Sequence, residues 1–246
     1  MPTPLPKTNQ LVQEINAMIL HPRNEARLEE ICAEAKRLEQ VSYYQAKQIE
    51  GMVAGMRGDS KTTRTKFNAA LISSGNDFTV RVNFAQALAN LHCVREAAEH
   101  IRAAVELAPD NIEVVLLALN IHRRCFDIEM SEHFFTRMSQ LGAEEKIPSD
   151  TRVFIDEERD KLDLAGTTWQ EVSERIEQAA EVLFARGLTS SGYETTFTDS
   201  GVLFGFFIFG DATTVADAER AIHEKIAALP FSKADLLISF CCMPAE

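Results

Sequence analysis

Across the middle of this chain, small and large apolar residues return at a fixed interval of 34 positions, and no other feature limits its folding as much. In the stretch 78–111, FTVRVNFAQALANLHCVREAAEHIRAAVELAPDN, the residues Ala85, Ala97, Ile101 and Ala104 have counterparts 34 positions earlier in Gly51, Thr63, Phe67 and Ala70. Leu119, Ser131, Phe135 and Met138 stand 34 positions later. A period of roughly 20–50 residues is the mark of stacked helical hairpins, each unable to bury its apolar face alone. Within a unit, a small residue such as Gly51 or Ala85 lets two helix backbones approach, and Ala97 and Ala104 do the same from the opposite helix. Phe67, Ile101 and Phe135 then fill the space between units. Pro109-Asp110-Asn111 closes one hairpin before the next begins.

At these positions the chain resembles the tetratricopeptide repeat (TPR) family, over about residues 44–142, with units at 44–77, 78–111 and 112–142. The family's usual aromatic near the start of the first helix is replaced by Lys47, Arg81 and Val115. Only the middle unit has the closing proline, and Leu119 is large where a small residue is usual. The resemblance implies an α-solenoid of antiparallel helical hairpins whose first helices line a concave groove. That groove would present Gln45, Gln48, Met52, Thr79, Val82, Asn83, Gln86, Asn90, Glu113, Leu116, Asn120, Arg123 and Arg124. Amides dominate it, and each offers a donor and an acceptor to an extended backbone, while Met52 and Leu116 offer adaptable apolar contact. The plainer reading is that these are solvated helix faces. One subclass of the family grips a terminal carboxylate with lysine, arginine and asparagine at set places. Gln48, Met52, Asn83, Glu113 and Leu117 stand there, so only the asparagine is kept and a chaperone-tail clamp is not implied.

Charge narrows the partner class. A formal net charge of -12 argues against a general role on nucleic-acid phosphates, which requires a basic face, and favours a protein or peptide partner. No apolar run approaches the roughly 18 residues that span a bilayer, so no membrane association is expected. The start, MPTPLPKTNQ, lacks the apolar core of a secretory leader, and the expected compartment is the cytoplasm. Cys32, Cys93, Cys125, Cys241 and Cys242 have no CxxC spacing and fit reduced thiols.

Before the repeat, the prolines at 2, 4 and 6 predict an extended start and Asn9 a helix cap. Leu11, Ile15, Met18 and Ile19 form a stripe that His21-Pro22 stops. A second amphipathic helix from Asn24 carries Leu28, Ile31, Cys32, Ala35 and Leu38, and the pair is expected to cap the array. After Gly142 the register breaks. Helices are expected at Thr151–Leu164 and from the capping box Thr168-Trp169-Gln170-Glu171, with Trp169 packed over a junction. The helical domain, 1–187, is then followed by a small α+β domain, 188–246.

In that second part TSSGYETTFTDSG predicts a turn, a strand and a second turn. Val202 to Phe209, apolar on both faces, predicts a central strand; Asp211 to Leu229 a helix; and Leu236 to Cys242 a last strand. This ββαβ unit carries too much apolar strand surface for one helix. Its second face is expected to meet the helical part, a foreign partner or a second copy, which makes a homodimer through this domain one expectation.

Chemistry-bearing motifs are sparse. Arg57, Lys61, Arg64 and Lys66 around Asp59 read as a solvated turn rather than a phosphate contact. His122 and Cys125, with His92-Cys93 nearby, lack the further ligands of a metal site, and His223-Glu224 lacks the second histidine of HExxH. No phosphate loop or nucleophile elbow occurs, so no enzyme, no cofactor and no metal are expected. The expected function is a non-enzymatic adaptor or chaperone-like scaffold that binds a protein or peptide segment in the groove. The alternatives are a regulator that senses a peptide or ligand with the α+β domain as output, and an enzyme formed at the junction with a base near Asp199 or His223.

Overall fold

The computed structural model describes residues 7–19, 23–198, 201–227 and 235–243. Among them the chain is mainly helical, with eleven α-helices and one three-stranded sheet near the C-terminus. Eight helices come first: α1 (Lys7–Met18), α2 (Glu25–Leu38), α3 (Tyr43–Met56), α4 (Ser60–Ser74), α5 (Phe78–Asn90), α6 (Val94–Leu107), α7 (Ile112–Arg124) and α8 (Ile128–Gln140). A 3₁₀ turn at Glu144–Lys146 interrupts the polar connection to α9 (Thr151–Ala165) and α10 (Trp169–Ala185). Then follow β1 (Thr189–Thr198), β2 (Gly201–Phe209), α11 (Ala212–Ala227) and β3 (Asp235–Met243). None of the described helices is long and apolar enough to cross a membrane.

Helix starts recur with the period of the sequence. Asp77 accepts from the amides of Thr79 and Val80, and Asn111, 34 positions on, accepts from Glu113 and Val114. Asp59 and Asp127 cap α4 and α8 through the amides of Thr62 and Met130. Each such cap is worth about 1 kcal/mol. Inside those two helices the buried hydroxyls of Thr63 and Ser131 each donate to the carbonyl four residues back, at 2.8 Å, so neither polar atom is stranded. Asn24 caps α2 as its position predicts, whereas α1 starts at Lys7, which places Asn9 inside the helix. The expected prolines at 2, 4 and 6 and the His21-Pro22 stop lie outside the described residues.

Packing explains the small residues. Of the twelve residues in register, eleven are buried and only Phe135 is half-exposed. A Cβ added at Gly51 would stand 2.6 Å from the Phe67 ring, which is itself stacked flat on Phe84 at 4.7 Å between centroids. The ring of one helix thus lies directly on the backbone of another, and only glycine leaves room. Leu119 is fully buried, so the third hairpin accommodates its bulk. α3 packs on α4, α5 on α6 and α7 on α8, and each of these hairpins meets the next; α1 and α2 lie against α3 as part of the same succession.

The turn inside each hairpin needs a left-handed residue. Gly58, His92 and Phe126 hold it, at φ of 78, 55 and 59° and spaced 34 positions apart. For the two non-glycine residues this costs about 1 kcal/mol or more each. The C-terminal half of the molecule offsets it by packing on these tips. His92 meets Phe184, Tyr193 and Phe206; Phe126 meets Phe154 and Phe204; and Gly58 lies so close to Phe184 that a Cβ there would be 2.6 Å from its ring.

The sheet order is β1-β2-β3, with β1 and β2 antiparallel and β2 and β3 parallel, as a helical crossover through α11 requires. Where a turn was expected before Tyr193, the strand instead begins at Thr189 and bulges between Ser190 and Gly192. β2 is central, as its apolar run predicts. Phe204, Phe206 and Ile208 of β2, with Ile238 and Phe240 of β3, form one apolar cluster with Val215, Ala218 and Ile222 of α11, Val172, Ile176 and Leu183 of α10, Ile155 of α9 and Phe126. The sheet therefore draws on α9 and α10 for its core, and the helical array meets the face that α11 also covers. The opposite face holds half-exposed Leu203, Phe207 and Phe209 beside exposed Glu194, Thr196 and Cys241. The Asp199 and Leu229 positions lie outside the described residues.

Candidate functional site

Two successive units and the first strand of the sheet border an open cavity of about 730 Å³. Its floor repeats with the sequence: Gln86 and Asn120, Asn90 and Arg124, and His92 and Phe126 are pairs 34 positions apart on α5 and α7 and their turns. Arg123 joins them from α7, Phe154 from α9, and Asn16 and Ile19 from the end of α1. The far wall is β1, through Ser190, Gly192, Tyr193 and Thr195. Two cross-links tie the C-terminal half to the end of α7, one of them from that wall. The Tyr193 hydroxyl donates to the Arg124 carbonyl, and the Ser173 hydroxyl of α10 donates to the Cys125 carbonyl at 3.0 Å. On the outer side, the Arg95 amide donates to Glu177 at 3.1 Å.

The polar groups of the cavity are partly committed. Gln86 donates to Asn90 at 3.1 Å, and Arg124 donates to the Ala89 carbonyl at 3.2 Å. Arg123 donates to the Thr151 hydroxyl at 2.8 Å and lies over the Phe154 ring at 4.5 Å, with exposed Asp150 at 3.7 Å. Burial pushes its guanidinium below the usual arginine range, and Asp150 opposes that shift. Its Nε is buried without an acceptor among the described residues. His92 is 1% exposed, and neither ring nitrogen has a hydrogen-bond partner among the described residues. Burial, reinforced by the charge of Arg124, pushes its pKa down to about 3, so the imidazole is neutral at ordinary pH. Burial likewise holds the Tyr193 hydroxyl above its usual range.

This has a measurable consequence for stability. Below the unfolded value of 6.5, an unfolded chain protonates His92 while the folded chain does not until about 3. The unfolded state binds more protons in that window, so stability is fully present above pH 6.5 and falls on acidification, by up to about 1.4 kcal/mol per pH unit for one such group. His100, pushed to about 4 by burial beside Arg81, acts in the same sense; Glu158, held above its usual range by burial, acts in the opposite one. Urea midpoints taken between about pH 7 and pH 5 should decrease steadily. In an E158Q background, which removes the opposing group, a midpoint constant over that range refutes a buried neutral His92.

Of the groove residues expected from sequence, Gln86, Asn90, Asn120, Arg123 and Arg124 come together at the cavity. The others do not. α1 lies on α3, so Gln48 and Met52 are buried, each 4% exposed, and Gln45 accepts a hydrogen bond from Thr8 of α1 at 3.0 Å. Thr79 and Glu113 are exposed beyond the cavity, Glu113 in an ion pair with Lys146, while Asn83 is half-buried and Val82 and Leu116 pack on the helical core. His92, Phe126, Phe154 and the β1 residues were not anticipated. The first two were within reach, since they occupy equivalent positions of adjacent units; β1 carried no such signal.

The remaining candidates resolve into structural roles. Arg57, Arg64 and Lys66 are paired with Glu25, Glu96 and Glu50. His122 bonds Asp127 at 3.0 Å, and the exposed His223 lies 2.8 Å from the Ile238 carbonyl. Among the described residues no three histidines, cysteines or carboxylates are grouped to hold a metal ion. Burial raises the Cys93 thiol to about 11 and Cys125 to about 12, which keeps both protonated. Trp169 is half-buried against the sheet cluster. Comparison with family models, curated proteins and solved structures finds no match to this chain.

Proposed function

We propose that this chain is a non-enzymatic binding protein in which a TPR-like α-solenoid and the C-terminal α+β unit form the two walls of one ligand site. Occupancy of that site sets how firmly the α+β unit is held, so the unit serves as output. One observation carries this reading: residues of α5, α7 and β1 converge on a single cavity of about 730 Å³, within the roughly 300–1,000 Å³ of small-ligand pockets. The solenoid part is supported by caps, left-handed turns and buried small residues that all recur at 34 positions. An adaptor gripping a long extended segment has less support, because α1 covers the inner face of α3 and β1 stands across the faces of α5 and α7. A junction enzyme has less still: among the described lining residues no nucleophile is hydrogen-bonded to a base, and His92 is held neutral without a partner.

Hydrogen exchange on the full chain tests this, alone and with each compound of a fragment and short-peptide collection that raises the melting temperature. A ligand in the cavity should slow exchange at 86–92 and 120–126 and also at 190–195. Protection confined to one wall by every binder rejects the reading.

A further inference from the structure

We propose that the cavity between α5, α7 and β1 binds a small organic anion, a carboxylate or phosphate borne on a planar or apolar body. This rests on the ligand-site reading above and specifies its ligand. In a chain of net charge -12, the described lining of the cavity holds two arginines and no aspartate or glutamate. A second cleft, between α4, α6 and α10, differs: its arginines, Arg64 and Arg95, are each taken up by a carboxylate, Glu96 and Glu177. In the cavity, the Arg124 guanidinium bonds a backbone carbonyl and, among the described residues, no carboxylate. Arg123 has a hydroxyl and, at 3.7 Å, an aspartate that is 74% exposed and therefore screened.

Orphaned groups at the same place point to an occupant. Buried polar atoms in folded proteins are nearly always satisfied, yet Arg123 Nε and both nitrogens of His92 have no partner among the described residues, and His92 is 1% exposed on the cavity wall. A neutral imidazole offers one donor and one acceptor, and a guanidinium edge offers donors only, so together they fit an oxyanion with an adjoining hydroxyl or protonated oxygen. The planar guanidinium fork matches carboxylate and phosphate alike. Phe126, Phe154 and Tyr193 supply flat apolar walls for the body of the ligand, and the amides of Asn90 and Asn120 set its orientation.

The test uses the full chain and five probes: phenyl phosphate, phenylacetate, inorganic phosphate, benzylamine and benzyl alcohol. Binding is read by calorimetry and by the ring-nitrogen resonances of His92. Phenyl phosphate or phenylacetate should bind and move those resonances, benzylamine should not, and inorganic phosphate should bind more weakly for want of the aromatic body. Which of the two aryl anions wins separates phosphate from carboxylate. R123Q and R124Q should each weaken binding by at least about tenfold. R64Q, outside the cavity, should leave it unchanged. Should either glutamine variant fail to fold, R123K or R124K keeps the charge without the fork and should weaken binding less than full loss. Tighter binding of benzylamine or benzyl alcohol at His92 overturns the anion assignment while leaving the ligand site standing. Binding that survives both arginine substitutions does the same. No binding by any of the five overturns the assignment, and the exchange experiment above then judges the site itself.

Discussion

Replacing Phe67 with alanine lowers the free energy of unfolding by about 3–5 kcal/mol, the range for truncating a fully buried aromatic. Phe67 is 0% exposed, lies on the backbone at Gly51 and stacks on Phe84 of the following unit. It therefore packs both within its own hairpin and against the next. Alanine leaves a void that neighbouring helices, fixed by their own contacts, close only in part. The matched substitution at Phe135, the same register two units on, should cost clearly less, because that ring is half-exposed under the Arg152 guanidinium. Urea unfolding followed by circular dichroism measures both. A Phe67→Ala loss below about 1 kcal/mol, or equal losses at the two sites, contradicts the packing described here.

Phe206→Ala should cost a similar amount, about 3–5 kcal/mol, and should also loosen the two halves of the molecule. The Phe206 ring is fully buried, meets His92 edge-on at 5.3 Å, and contacts Tyr193 and Phe240 at 5.5 and 5.9 Å. It is the side chain of the central strand that touches the left-handed turn of the middle hairpin. Without it, water reaches His92, and the pKa of that histidine should climb from about 3 towards 6.5. Titration of the His92 resonances together with limited proteolysis around 188–195 provides the readout. A His92 pKa unmoved in a destabilised variant would show that Phe206 stabilises the sheet alone.

Residues of the repeat were legible because their signals are local. Asn24 caps the helix directly after it, Gly51 meets a ring from the adjoining helix of its own hairpin, and Val202 to Phe209 announces a central strand by being apolar on both faces. Part of the cavity was legible through the resemblance, since Gln86, Asn90, Asn120, Arg123 and Arg124, five of its fourteen described lining residues, belong to the groove that a TPR-like array implies. Gln48 and Met52 are buried rather than presented in a groove because α1, expected to cap the array, lies on the inner face of α3.

By itself, then, the sequence determined the hairpins, their spacing and their apolar faces, which depend on residues within one or two helical units of each other. Only the tertiary structure decided that β1 stands across two of those hairpins. The contact between Tyr193 and Arg124 spans 69 positions, and the same ring meets His92, whose left-handed backbone no pattern of hydrophobicity records. Long-range closure of this kind is settled by which buried surfaces fit together, and a linear chain displays each surface without its counterpart.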